Sequence, residues 1–238
     1  MPTRNCKRCQ KPFEYEVVEI MGITMTPPHC EACEAILTAE PDHPKKRQAK
    51  PLGDDWPAHH RAAIDTRTGP AHHRADTLWK SHVAAGATTL IVYGDRGLGK
   101  TWIATYWAFL RGQAGQDPGI YRTAYDLFLD LRQSWRSNST QSEKEAMDTY
   151  KRVPFLVLDQ MHQCRALGQT TDNAAMWERL ALADLLDYRY RENKTTILIL
   201  TATTPEEVAG CFDSDILSRV KETGGLVACN WKSYRDAK

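Results

Sequence analysis

Three uninterrupted apolar runs punctuate an otherwise evenly mixed chain: Leu90–Tyr93, Phe155–Leu158 and Ile197–Leu200. Each has the length of a strand, and continuous apolarity suits a central parallel strand covered on both faces. Around them the period changes. "TWIATYWAFL" continues the first run with helical character. "GIYR" predicts a short strand, and Leu127, Phe128, Leu131 and Trp135 recur at helical spacing, predicting the buried stripe of a helix. Arg132 and Arg136 fall outside that stripe, where they could face a phosphate backbone or solvent. "SNSTQSEKEA" reads as a polar excursion. "MWERLALADLLDYRYREN" predicts an amphipathic helix, "TPEE" a helix start, and "GGLVACNWKSYR" a final short strand. Strands alternating with helices predict an α/β, doubly wound and mostly parallel sheet.

The first fifty residues follow another pattern. "FEYEVVEI" alternates apolar and acidic positions, as a small hairpin strand does. It lies between two cysteine pairs, Cys6/Cys9 and Cys30/Cys33, the spacing of two zinc-ribbon knuckles. A two-residue gap lets both thiolates of a pair face one ion, and two pairs complete a tetrahedron. With all four positions filled by protein the zinc would be structural, and it would supply much of the folding energy of so short a segment. His29 beside Cys30 could replace one thiolate. Cys164, Cys211 and Cys229 are scattered singly and read as small apolar residues. "EAILTAE" after Cys33 suggests one or two helical turns, and "PDHPKKRQAKPLGDDWP" a linker rich in proline and charge. Lys45–Arg47 could touch an anion but reads more simply as solvated. The string Pro-Ala-His-His-Arg occurs at Pro57 and Pro70, too short and too few for a solenoid, with histidines that suit a helix surface. The expected organisation is a zinc-binding module over 1–40, a linker over 41–56 and one large domain over 57–238.

Bulk composition narrows the class only modestly. The 238 residues are 42% hydrophobic and 26% charged, ordinary for a soluble domain. The net charge of +1 means that any nucleic-acid contact must come from local patches. No apolar run approaches the length of a membrane span, and the first residues lack the apolar core of a secretion signal. The expected location is the cytoplasm, where the cysteines stay reduced.

The strongest chemical signal is "GDRGLGKT". Gly94, Asp95, Arg96, Gly97, Leu98, Gly99, Lys100 and Thr101 form a phosphate-binding loop between a strand and a helix, the context this motif requires. Glycines at 94, 97 and 99 let backbone N–H groups close around phosphates, and the helix N-terminus adds its dipole. Lys100 neutralises the β- and γ-phosphates, and the Thr101 hydroxyl is a magnesium ligand. Asp159 ends "FLVLD", at the sheet edge where nucleotides bind, and is the second candidate for magnesium. Position 160 would orient the attacking water. Gln160 keeps the size and the acceptor of a glutamate but loses its charge and most of its basicity.

"GDRGLGKT", "FLVLDQ", "LLDYRYRENKTTILILTATTPEE", "DILSRV" and "WKSYR" together resemble the ATPase core of bacterial and phage replicative helicase loaders of the DnaC/DnaI type, in the AAA+ superfamily. The likeness covers roughly residues 75–238, and a cysteine-rich module ahead of it is similar to the DnaI type, where it docks on the helicase. The resemblance implies an AAA+ P-loop sheet without a C-terminal helical lid. It implies ATP, Mg²⁺ and Zn²⁺ as cofactors. It implies a DnaB-type helicase and single-stranded DNA as partners, and an ATP-bridged spiral or ring. The polar residue that senses the γ-phosphate, usually asparagine, is matched by Thr203, with Thr201 nearby. Arg219 matches the arginine finger that enters the neighbouring subunit's site, and Arg189 another arginine at the subunit boundary. Thr203 and Arg219, with Lys100, Asp159 and Gln160, make the implied catalytic set, with hydrolysis slowed or blocked by Gln160. Two other readings stay open: a transposition-regulating AAA+ ATPase that selects targets and recruits a transposase, and a zinc-ribbon nucleic-acid adaptor whose nucleotide site is structural.

Overall fold

The computed structural model describes residues 3–6, 9–14, 18–20, 23–25, 30–33, 49–64, 70–135, 142–163 and 172–233. The chain divides into two compact units, one of Met1–Ala49 with Gln113–Gln116 and one of Lys50–Gly112 with Asp117–Lys238.

The described residues of the smaller unit include two antiparallel pairs. β1 (Thr3–Asn5) pairs with β2 (Pro12–Glu14), and β3 (Val18–Ile20) with β4 (Ile23–Met25). The single strand expected over "FEYEVVEI" is thus shared between β2 and β3, members of separate hairpins. The helical turns expected after Cys33, and Lys45–Arg47, lie outside the described residues.

The larger unit is built on a five-stranded parallel sheet in the order β6-β7-β8-β5-β9. These are β5 (Thr89–Tyr93), β6 (Ile120–Thr123), β7 (Phe155–Asp159), β8 (Thr195–Leu200) and β9 (Gly225–Ala228). Among the described residues the α-helices of this unit are α1 (Ala58–Ile64) and α2 (Pro70–Leu78), ahead of the sheet, and α3 (Lys100–Gln113), α4 (Ala124–Gln133), α5 (Glu143–Arg152), α6 (Asn173–Arg191), α7 (Pro205–Cys211) and α8 (Ser214–Thr223), between its strands. The apolar runs are the central strands because side chains alternate across the sheet and both faces are covered. Leu90, Val92, Val157, Ile197 and Ile199 pack toward α3 and Trp56. Ile91, Leu156, Leu158, Leu198 and Leu200 pack toward α4, α5, α6 and α8.

Trp56, expected in the linker, is 1% exposed. It packs on Tyr121 and Phe155 at ring-centroid distances of 5.8 and 6.4 Å and donates its indole N–H to the Gly119 carbonyl. Lys50 N–H bonds the Gly112 carbonyl. The segment from Lys50 to Trp56 is therefore a strap on the larger unit, held by an aromatic side chain that proline and charge concealed in the sequence.

Two further expectations change. Leu127, Phe128 and Leu131 are buried as a stripe of α4, but that helix stops at Gln133, and Trp135 beyond it is 55% exposed. Its ring meets Trp177 edge-on at 4.7 Å and its indole bonds Glu143. Arg132 pairs with Glu178 and lies over the Trp177 ring, while Arg136 falls outside the described residues. The second half of the polar excursion is α5, started by a Ser142–Glu145 capping box.

Cys229 is buried and Cys211 half-buried, as small apolar residues, whereas Cys164 lies outside the described residues. The paired histidines sit on α1 and α2. His59 and His73 are exposed, while His72 is half-buried, its edge toward Trp102 and Tyr106.

Candidate nucleotide site and cysteine cluster

The phosphate loop leaves β5 at Tyr93, whose carbonyl accepts the Cys229 N–H at 2.8 Å. Gly94 has φ 146°, and a side chain there would bring its Cβ to 2.4 Å from the Cys229 carbonyl oxygen. Gly97 and Gly99 lie in the left-handed region, at φ 83° and 81°. Those three positions let the loop turn back over the N-terminus of α3. Asp95 and Arg96 are exposed, and Leu98 is buried beneath the loop. Lys100 opens α3, with its Nζ 2.7 Å from both the Gly94 and Asp95 carbonyls. The loop is also held from outside by the Trp231 indole, which donates to the Leu98 carbonyl at 2.9 Å, with the Arg74 guanidinium 5.0 Å over the Trp231 ring.

Asp159 ends β7 at the carboxyl edge of the sheet and is 5% exposed. Both its oxygens are engaged. Oδ2 accepts the Thr101 hydroxyl at 2.6 Å and the Tyr121 hydroxyl at 2.8 Å, and Oδ1 accepts the Gln160 N–H at 2.6 Å. Burial, then the Asp159 charge, pushes the Tyr121 phenol well above its ordinary value, so it stays a donor. Thr101 and Asp159 suit magnesium: two neighbouring octahedral oxygen ligands lie about 2.9 Å apart, close to their separation here.

Gln160 stands just past β7 with φ 57°, a left-handed conformation uncommon outside glycine, and is exposed. Its carbonyl accepts the Gln163 N–H at 2.9 Å. The local strain turns the chain sharply after Asp159. His162, in that turn, is held below the ordinary histidine value by burial and by the Arg96 charge, with Lys100 adding and Asp159 opposing.

The remaining expected residues are spread more widely. Thr203 lies beyond β8 and is exposed, its N–H and hydroxyl both bonded to Glu207 at 2.6 and 3.0 Å. Those bonds, from the backbone first, hold the Glu207 carboxyl below the usual range. Thr201 is half-buried at the end of β8. Arg219 on α8 pairs with Asp187 at 2.7 Å. Arg189 is fully buried, contrary to a place at a subunit boundary. It donates to the carbonyls of Tyr150, Val153 and Thr195 at 2.5–2.7 Å and to the Thr196 hydroxyl at 2.7 Å. It ties the C-terminus of α5 to β8, a structural task invisible in the arginine itself. Tyr121, His162 and Trp231 have no site role legible in the sequence; an aromatic with a polar tip beside a phosphate loop is the available signal.

In the smaller unit the Sγ atoms of Cys6, Cys9, Cys30 and Cys33 all lie within 4.8 Å of one another. Four thiolates around zinc at about 2.3 Å are about 3.8 Å apart, and Cys9 and Cys30 Sγ atoms are separated by 3.8 Å. The cluster is compatible with zinc. Burial and the neighbouring thiols push the Cys33 thiol up to about 12, so metal binding here must displace protons.

No family model matches this chain, and no curated protein matches its sequence. Solved structures share its fold. The chain covers 53% of AMPPCP-bound DnaA from Aquifex aeolicus with a TM-score of 0.54 and 18% identity, over 77% of its own length. It also spans about half, 48%, of a DNA replication initiation factor. It is also similar to the DnaC helicase loader, at TM-score 0.56 and 20% identity, covering 72% of this chain and 99% of that one. DnaI matches at TM-score 0.50 and 20% identity, over 69% of this chain and 88% of that one. Among the described residues no helix is long and apolar enough to cross a membrane.

Proposed function

We propose that this chain is an ATP-dependent loader that binds a DnaB-type hexameric helicase and helps place it on single-stranded DNA when replication begins. The observation that carries the reading is the joining in one chain of a four-cysteine cluster with a phosphate loop whose Thr101 hydroxyl meets Asp159. Near-complete coverage of the DnaC loader supports it, as does a DnaA structure with AMPPCP and single-stranded DNA, similar at TM-score 0.50.

In this reading the N–H groups of residues 94–101 and Lys100 hold the ATP phosphates. Thr101 and Asp159 would hold magnesium, which would supply neutralisation of the phosphate charge. Gln160 orients water but is a poor base, so turnover is slow. Thr203 senses the γ-phosphate only after giving up its bond to Glu207. Arg219 reaches a neighbouring subunit's nucleotide, so ATP bridges an oligomer. ATP acts as a switch ligand whose useful energy is its differential affinity for assembled and free states. The cysteine module docks the helicase.

The test is a pull-down of the intact chain against a DnaB-type helicase, with and without ATP, beside Lys100→Ala. Retention of helicase that depends on ATP and is lost in Lys100→Ala is the expected result. Undiminished binding by Lys100→Ala would leave the nucleotide site a structural element and sink the switch.

A further inference from the structure

We infer that Tyr121 is a positioning residue for the magnesium-side carboxylate, and that Trp56 fixes it in place. The inference rests on the nucleotide-site reading. Asp159 Oδ2 is shared between two hydroxyls, Thr101 from the phosphate-loop side and Tyr121 from the neighbouring strand. Thr101 is the second residue of α3, so its hydroxyl comes from the end of the phosphate loop. Tyr121 belongs to β6, paired in register with β7: Tyr121 lies opposite Val157, and Thr123 opposite Asp159. Its hydroxyl therefore reaches the carboxylate from a rigid sheet position.

The second fixed donor, Gln160 N–H, holds Oδ1. Tyr121 and Gln160 together pin both carboxylate oxygens without using the phosphate loop. A ligand held this way keeps its orientation when the Thr101 hydroxyl turns to a metal. Groups that orient a metal ligand typically change metal affinity by about 10- to 100-fold when removed.

Tyr121 is itself supported by the strap. The Trp56 ring lies 5.8 Å from the Tyr121 ring and 6.4 Å from Phe155, and its N–H is tied to Gly119, one residue before β6. Asp55, its neighbour, pairs with Arg122, the residue after Tyr121. A strap anchored on both sides of Tyr121 sets where the phenol can reach. The chain of contacts Trp56–Tyr121–Asp159 thus joins the segment that follows residue 49 to the magnesium position.

The experiment measures binding of a fluorescent ADP analogue by full-length wild type and Tyr121→Phe, first in EDTA and then across a Mg²⁺ titration. The substitution removes one oxygen and keeps the ring against Trp56. The expected result is unchanged affinity in EDTA, with the Mg²⁺ concentration for half-maximal enhancement raised about tenfold. In an Asp159→Asn background Tyr121→Phe should then add nothing. An unchanged Mg²⁺ midpoint overturns the proposal. So does an equal loss of affinity in EDTA and in Mg²⁺, which marks a merely structural role. If wild type binds no analogue under either condition, the nucleotide reading itself fails, and this inference with it.

Discussion

Arg219 Nη2 lies 2.7 Å from Asp187 Oδ1 of its own chain, and its guanidinium sits 5.4 Å over the Tyr190 ring. An arginine held this way is not free to enter a neighbouring site. The pair is partly exposed, so it is worth only about 0–1 kcal/mol, small enough for a nucleotide phosphate to outcompete. Asp187→Asn should therefore leave the melting temperature nearly unchanged and strengthen ATP-dependent self-association. Arg219→Ala should abolish that association while nucleotide affinity stays normal. Sedimentation with and without ATP, beside a binding titration, checks both.

Trp231 fastens the phosphate loop through one hydrogen bond, to the Leu98 carbonyl. Trp231→Phe keeps an aromatic ring under Arg74 and removes that donor. A neutral hydrogen bond contributes about 1 kcal/mol, so nucleotide binding should weaken about fivefold. Isothermal titration with ADP reads this directly, and an unchanged affinity would show that the loop holds its shape unaided.

Arg189 occupies the interior because carbonyls from two elements converge there. Burial lowers its proton affinity, and the ring of acceptors favours the charged form. Arg189→Leu leaves those acceptors unpaired in an apolar core and should cost about 3 kcal/mol or more. Arg189→Lys should not rescue it, since one ammonium cannot span the fork. Urea denaturation of the two variants provides the measurement.

These predictions draw unequally on what the sequence revealed. The central strands, the loop glycines, Lys100, Thr101 and Asp159 were legible because each belongs to a pattern closed within a few residues. Ser142 and Glu145 also form a legible local pattern, a capping box, but the polarity around them reads as an excursion between elements. Tyr121 and Trp231 were illegible because their partners lie 38 and 133 residues away, and no local period encodes such a meeting. Trp56 was concealed by its setting of proline and charge. Arg189 was misplaced because an arginine's usual exposure says nothing about carbonyls that converge only in the fold.

The cysteine cluster predicts equimolar zinc in the purified chain, measurable by mass spectrometry. Chelation, or Cys9→Ser, should unfold the smaller unit while the larger keeps its transition. The larger unit owes its stability to a core on both sheet faces, whereas the described residues of the smaller are short strands and four clustered thiols. Calorimetry should show only one of two transitions abolished.

Gln160 permits a clean test of chemistry against structure. Its left-handed backbone imposes nearly the same strain on glutamine and glutamate, and its side chain is exposed. Gln160→Glu should therefore shift stability by no more than about 0.5 kcal/mol. What it restores is a carboxylate able to take a proton from water, beside an Asp159 already oriented by three donors. General-base catalysis contributes about 10²- to 10⁴-fold, so single-turnover hydrolysis should rise at least about a hundredfold with ATP affinity unchanged. Near-normal turnover by the unaltered chain would overturn the role assigned to position 160. If Gln160→Glu stays inactive while wild type binds ATP, the defect lies elsewhere, with Thr203, whose hydroxyl is committed to Glu207, the first place to look.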